Sequence, residues 1–116
     1  MTPPERDWDI LRHIVSYCVQ IEQTVVRFGD DYGLFAADSI YRNAAALCIL
    51  QIGELVGKLT ETFRAAHPSI PWRQIKAMRN IVAHSYGSVD PETAWEVISG
   101  DIPVLKQYCC ELLEKV

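Results

Sequence analysis

The chain is predicted to fold as an all-α, up-and-down helical bundle of four to five helices, and three observations predict it. Apolar residues recur at three-and-four spacing through most of the 116 positions, the pattern of helices with one buried face. No stretch alternates with period two over strand length, and no repeat or low-complexity tract is present. Clusters of glycine and proline separate the periodic stretches, where they act as punctuation.

The first helix carries Trp8, Leu11, Val15, Cys18, Glu22 and Val25 on one stripe, with Ile10, Ile14, Tyr17, Ile21 and Phe28 on the next. So wide an apolar face suits a bundle helix rather than a surface helix. Gly29-Asp30-Asp31-Tyr32-Gly33 breaks it. A longer second helix is predicted to start between Leu34 and Ser39 and to run to about Ala66, on the stripe Tyr41, Ala44 or Ala45, Cys48, Ile52, Leu55, Leu59 and Phe63. Gly53 lies inside that pattern, where glycine costs roughly 1 kcal/mol against alanine. It marks either a close approach by another backbone or a tolerated accident.

After His67-Pro68-Ser69-Ile70-Pro71, a third helix is predicted with Pro71 in its first turn, Trp72, Ile75, Met78 and Val82 as apolar positions, and an end near Tyr86 capped by Gly87. Asp90-Pro91-Glu92 reads as an N-cap, a first-turn proline and an acidic first turn. The fourth helix holds Ala94, Trp95, Val97 and Ile98 and runs to Ser99. Gly100-Asp101-Ile102-Pro103 separates or kinks it from a last helix with Val104, Leu105, Tyr108, Leu112 and Leu113.

Composition bounds the function. The length is that of one domain, residues 1–116, and the 49% hydrophobic and 22% charged shares are ordinary for a globular protein. No apolar run reaches the roughly 20 residues that cross a bilayer, and the N-terminus lacks the apolar core of a signal peptide, so a cytoplasmic protein is expected. The four cysteines lack the spacing of a zinc site and are expected to be buried free thiols; no metal or cofactor is implied. The net charge of −4 is unevenly spread. Residues 62–89 contain no Asp or Glu but hold Arg64, Arg73, Lys76 and Arg79, so this segment carries +4 and the remainder −8. Screening confines phosphate contact to roughly 10 Å, so this local field matters more than the net charge. Arg73 and Lys76 are candidate RNA-binding residues on that ground.

The same segment holds the chemistry. Arg79, Asn80, His84 and Tyr86 fall within eight residues, with no acidic residue beside them in sequence to neutralise the arginine. His84 can give and take a proton near neutral pH, Arg79 can hold a phosphate and stabilise charge on its oxygens, and Asn80 can position either. Together they suffice for metal-independent cleavage of a phosphodiester through a ribose 2′-hydroxyl. At about 100° per residue Asn80 and His84 share a helix face, whereas Arg79 and His84 stand about 140° apart. A second copy of the helix across a two-fold axis would bring the groups together. Spacing alone equally allows a solvated Arg79, a His84 facing the helix dipole and a Tyr86 packed in the core with a wet tip.

Arg79-Asn80-Ile81-Val82-Ala83-His84-Ser85-Tyr86 resembles the R-x4-H-x-Y signature of the HEPN superfamily, in particular its HepT-like toxins. Ile52-Gly53-Glu54, Ile70-Pro71-Trp72 with Ile75 and Met78, and Val89-Asp90-Pro91 with Trp95 resemble the family's flanking context, so that the likeness runs from about Ile10 to Leu113. The resemblance implies a small helical ribonuclease toxin of a HEPN/MNT toxin–antitoxin pair, homodimeric, with Arg79 and His84 catalytic in a shared cleft and Asn80 in support. It implies as partner a minimal nucleotidyltransferase antitoxin that transfers AMP to the motif tyrosine, here Tyr86. Glu54 is carried over as a residue that orients Arg79 or His84, with an exposed helical glutamate as the alternative. The competing functional expectation is a non-catalytic module in which the same residues hold a nucleotide or the partner.

Overall fold

The computed structural model describes residues 2–83 and 90–115, side chains excepted at residues 3 and 81–83. Helix α1 spans Pro3–Phe28. Thr2 caps it by accepting from the Glu5 N–H, and the two prolines occupy the first turn, where no N–H is needed. It ends at Gly29, whose φ of +116° suits a residue without Cβ and whose N–H closes on the Val25 carbonyl. The start lies five residues ahead of the first apolar position, Trp8, because caps and prolines rather than periodicity set it.

The predicted second helix is two helices, and a further short one precedes it. A short α2, Tyr32–Ala37, fills the stretch between Gly29 and Ser39, capped by Asp31. Its Phe35 is buried against Tyr41 and Trp95, and Tyr41 stacks on Phe28. Helix α3, Ser39–Lys58, starts at Asp38, whose carboxylate accepts from the Ile40 and Tyr41 N–H groups. The chain then leaves the helix at Leu59 and Thr60, both extended, and α4 covers Glu61–Ala66. The expected unbroken run to Ala66 is thus corrected, and the cause is a tie from α1. Asp7, 3% exposed, accepts from the Thr60 N–H at 2.9 Å and from the Thr60 hydroxyl at 2.7 Å. Thr60 Oγ1 in turn caps α4 by accepting from Phe63 N–H. The buried carboxylate is satisfied only if the chain opens at that point.

Helix α5 spans Trp72–Ala83 within the described residues. The Pro71 carbonyl accepts its first bond, from Ile75 N–H, so Pro71 sits one residue ahead of the predicted first turn. The Trp72 indole donates to the His67 carbonyl, fixing the entry of the helix. The predicted Gly87 cap lies outside the described residues. Helix α6, Pro91–Glu96, begins as expected on Asp90, which accepts from the Glu92 N–H and the Thr93 hydroxyl. No break follows. A π-helical turn, Val97–Asp101, carries the chain into α7, Ile102–Glu114, and Ile102 N–H reaches back to the Val97 carbonyl. Pro103 has no N–H, and its ring would crowd the carbonyl four residues back; the wider turn ahead of it lets the helical run continue.

Helices α1, α3, α5 and the α6–α7 run form the up-and-down bundle. α1 packs on α3 and α7, α3 packs on α5, and α2 covers the end of the bundle with α6. Leu11, Ile14 and Cys18 of α1, Ile52 and Val56 of α3, and Leu105 and Cys109 of α7 meet in one core. No described helix is long and apolar enough to cross a membrane.

The cysteines are free, with Cys18, Cys48 and Cys109 buried and Cys110 partly so. Burial pushes the Cys18 thiol up to about 12, with the Glu22 charge adding to it, and burial likewise takes Cys109 to about 12. In the unfolded chain these thiols ionise near pH 9, so above that pH the unfolded state binds fewer protons and gains. Their stabilising effect is complete below about pH 9 and is lost as pH rises toward 12, by on the order of 1 kcal/mol per pH unit for each thiol. Urea unfolding at rising pH is expected to show this decline, and Cys109→Ala should make it shallower. An equally steep decline in that variant would refute the assignment.

Candidate active site

The site rests on the crossing of α3 and α5. Trp72, Ile75 and Met78 face the core from α5, as their spacing predicts. That leaves Lys76 and Asn80 exposed and Arg79 half-buried at the edge of the contact. Gly53 makes the crossing possible. A Cβ on Gly53 would stand 2.9 Å from the Arg79 Cβ, and 3.3 Å from the Arg79 nitrogen and the Lys76 carbonyl oxygen. Of the two readings the sequence left open, close backbone approach is correct.

That approach places Glu54, the next residue of α3, beside Arg79. Glu54 Oε1 forms an ion pair with Arg79 Nε. Nε is buried and has no aligned hydrogen-bond acceptor, so the contact is one of charge with charge rather than a well-formed N–H···O bond. Both side chains are about two-fifths exposed, so the pair contributes orientation more than stability. Here the sequence expectation of an arginine without a neutralising acid is corrected. No acid lies near Arg79 along the chain, but packing brings one from the neighbouring helix. Glu54 thus contacts Arg79, one of the two residues it was expected to orient.

A shallow groove of about 260 Å³ opens at this crossing, lined by Gly53, Glu54, Gly57, Lys58, Lys76 and Arg79. Gly57 continues the notch one turn beyond Gly53, and the Lys76 side chain lies across it, with Cε 3.3 Å and Nζ 3.9 Å from where a Cβ would be. Three cations thus line the groove against one carboxylate, which is already engaged by Arg79. Arg73 is exposed one turn before Lys76 on the same ridge, but it does not line the groove. Asn80 is exposed and also outside it. His84 and Tyr86 lie outside the described residues. Lys58 escaped the sequence reading, although its i, i+4 relation to Glu54 and the repeat of glycine at 53 and 57 were there to be read. Among the described residues, no group of three or more His, Cys, Asp or Glu side chains is placed to hold a metal ion.

The family model described as Ribonuclease HepT-like matches residues 9–112 of the chain, the α1 to α7 bundle with the Arg79-to-Tyr86 segment inside it. The chain belongs to this HepT-like family. Its place there is supported by a candidate RNase of Caldanaerobacter subterraneus, 32% identical over 105 residues covering 90% of this chain and 92% of that protein. A candidate RNase of Methanocaldococcus jannaschii is 34% identical over 107 residues, 90% of this chain and 89% of its own length. A candidate ribonuclease HepT of Thermococcus cleftensis is 35% identical over 72 residues, 62% of this chain and 66% of that protein. No solved structure matches the chain. The enzyme class of this HepT-like protein is therefore ribonuclease, and its fold is the all-α bundle predicted from periodicity.

Proposed function

We propose that this HepT-like protein is a metal-independent endoribonuclease toxin in which Arg79 and His84 act on the scissile phosphate. The observation that carries the reading is the placement of Arg79. Its Nε is turned toward Glu54 at the rim of a cationic groove, which leaves the Nη edge of the guanidinium as the part able to meet a phosphate.

In the proposed reaction the ribose 2′-hydroxyl loses its proton to a histidine, its oxygen attacks phosphorus, and the P–O5′ bond breaks. The leaving 5′-oxygen takes a proton, and the products end in a 2′,3′-cyclic phosphate and a 5′-hydroxyl. Arg79 balances the charge that builds on the phosphoryl oxygens, and Asn80 supports by hydrogen bonding. A homodimer with two copies of the motif across one cleft would supply two His84 side chains, one to accept the proton and one to donate it. The five-residue sequence spacing of Arg79 and His84, about 140° apart at helical pitch, supports such a composite site. Lys76, and Arg73 one turn further out, extend the positive surface along which RNA would lie.

Control belongs to the same reading. A minimal nucleotidyltransferase of the MNT type is the proposed antitoxin. The Tyr86 phenol oxygen would attack the α-phosphate of ATP, releasing pyrophosphate and leaving AMP on the tyrosine. Two residues from His84, that adduct would put anionic bulk where the RNA phosphate must sit. The toxin and its RNA would share the cytoplasm.

The test is RNA cleavage by purified protein in excess EDTA, beside His84→Ala prepared identically, with the product ends analysed. Cleavage by wild type alone, leaving 2′,3′-cyclic phosphate ends, is expected. Equal cleavage by the variant would remove His84 from the mechanism. Inactivity of folded, unmodified wild type on a broad set of RNAs would leave the non-catalytic module as the better account.

A further inference from the structure

We propose that the notch over Gly57, between Lys58 of α3 and Lys76 of α5, is a second phosphate subsite that holds the RNA strand beside the scissile position. The inference rests on the ribonuclease reading for the identity of its ligand, but its observations are separate. Gly57 has no side chain, so the groove floor there is helix backbone with room for the Lys76 side chain to lie over it. Lys76 is laid along that floor, its Nζ 3.9 Å from the position a Cβ would take. Lys58, exposed on the next residue of α3, lines the same groove. Arg79 lines it too, and the carboxylate nearby is paired with Arg79 rather than with either lysine.

Three cationic side chains among the lining residues, against one carboxylate already paired with Arg79, suit the groove to an anion. Two lysines lining one groove, one of them laid over a glycine, fit a small anion, and a backbone phosphate is such an anion. Lysine presents a point charge without the planar fork of arginine, which suits holding a strand in place rather than stabilising one transition-state geometry. Arg79 and the lysine pair thus divide the work. The arginine faces the phosphate that reacts, and Lys58 and Lys76 hold a neighbouring one. Sequence-independent binding at this subsite follows, because only the phosphate is contacted.

The test is binding of a fluorescein-labelled, single-stranded RNA decamer with 2′-O-methyl riboses, read by anisotropy in EDTA across a range of KCl. The probe lacks the 2′-hydroxyl nucleophile, so wild-type protein can be used. Lys58→Gln and Lys76→Gln are each expected to weaken binding about fivefold near 0.1 M salt and to reduce the slope of log affinity on log salt by about 0.7, the loss of one phosphate contact to a single strand. Lys115→Gln, which removes an exposed charge at the end of α7, should change neither. Gly57→Leu, filling the notch without altering charge, should weaken binding while thermal melting shows the fold intact.

Wild-type affinity and slope in both lysine variants would overturn the subsite. If wild type still cleaves unmodified RNA in that case, the ribonuclease reading stands without it. If wild type cleaves nothing but the slope losses appear, the subsite stands and the cleavage reading falls. Displacement of the decamer by ATP at matched phosphate concentration would reassign the groove to a free nucleotide and overturn the strand path.

Discussion

Arg79→Ala is expected to lower kcat/KM for RNA cleavage by about 10²–10³-fold, the usual effect of removing one preorganised donor to a developing oxyanion. The loss should fall mainly on kcat, since the guanidinium acts on charge that appears in the transition state. Arg79→Lys should recover little, because an ammonium cannot hold Glu54 with one edge and a phosphate with the other. Glu54→Gln separates positioning from charge. Removing the carboxylate raises the positive potential of the groove, so substrate binding should tighten or hold, while kcat falls about tenfold because Arg79 loses the partner that aims it. A structural role for Glu54 would instead lower the melting temperature and leave the kcat-to-KM pattern unaltered. Steady-state kinetics on one oligoribonucleotide with all three variants decides the matter. Full kcat in Arg79→Ala would dismiss the arginine from the chemistry.

Gly53→Val should cost about 2–3 kcal/mol of stability and disable the site at the same time. The first added carbon would lie 2.9 Å from the Arg79 Cβ and 3.3 Å from backbone atoms of the same helix, the Arg79 nitrogen and the Lys76 carbonyl oxygen. Neither neighbour is the free end of a flexible side chain, so α3 and α5 must separate, and Glu54 and Arg79 separate with them. Gly100→Ala provides the contrast. Nothing lies within 4 Å of a Cβ there, and the added methyl group should stabilise the helical run by up to about 1 kcal/mol. Urea midpoints that move in opposite directions for the two variants are the expected result. Equal and small shifts would mean that the crossing yields more easily than its geometry implies.

The sequence carried most of the secondary structure because caps and periodicity are local. Asp90-Pro91-Glu92 announced a helix start and Gly29 a helix end, and both stand where the chain needs an acceptor or a positive φ. The break at Leu59 and Thr60 did not announce itself. Leu59 and Phe63 are buried whether or not the helix is continuous, so the apolar stripe reads through the break. What opens it is Asp7, more than fifty residues earlier, whose burial demands the Thr60 donors. Helix α2 was hidden likewise, since its stability comes from Phe35 entering an aromatic cluster with Tyr41 and Trp95. The stretch 100–103 was legible as an interruption, but whether it parts two helices or passes through a π-helical turn depends on how the flanking helices pack.

For the site, the sequence by itself determined the residue types, the charge segregation and the local spacing that ties Arg79 to Asn80, His84 and Tyr86 along one segment. These follow from covalent order and helix pitch. Only the tertiary structure decided that Glu54 is the partner of Arg79, that Gly53 is a contact point rather than an accident, and that Lys58 joins Lys76 in one groove. Those facts concern two helices whose facing residues are separated by up to about a fifth of the chain, and helix periodicity says which face is buried but not which helix it meets, or in what register.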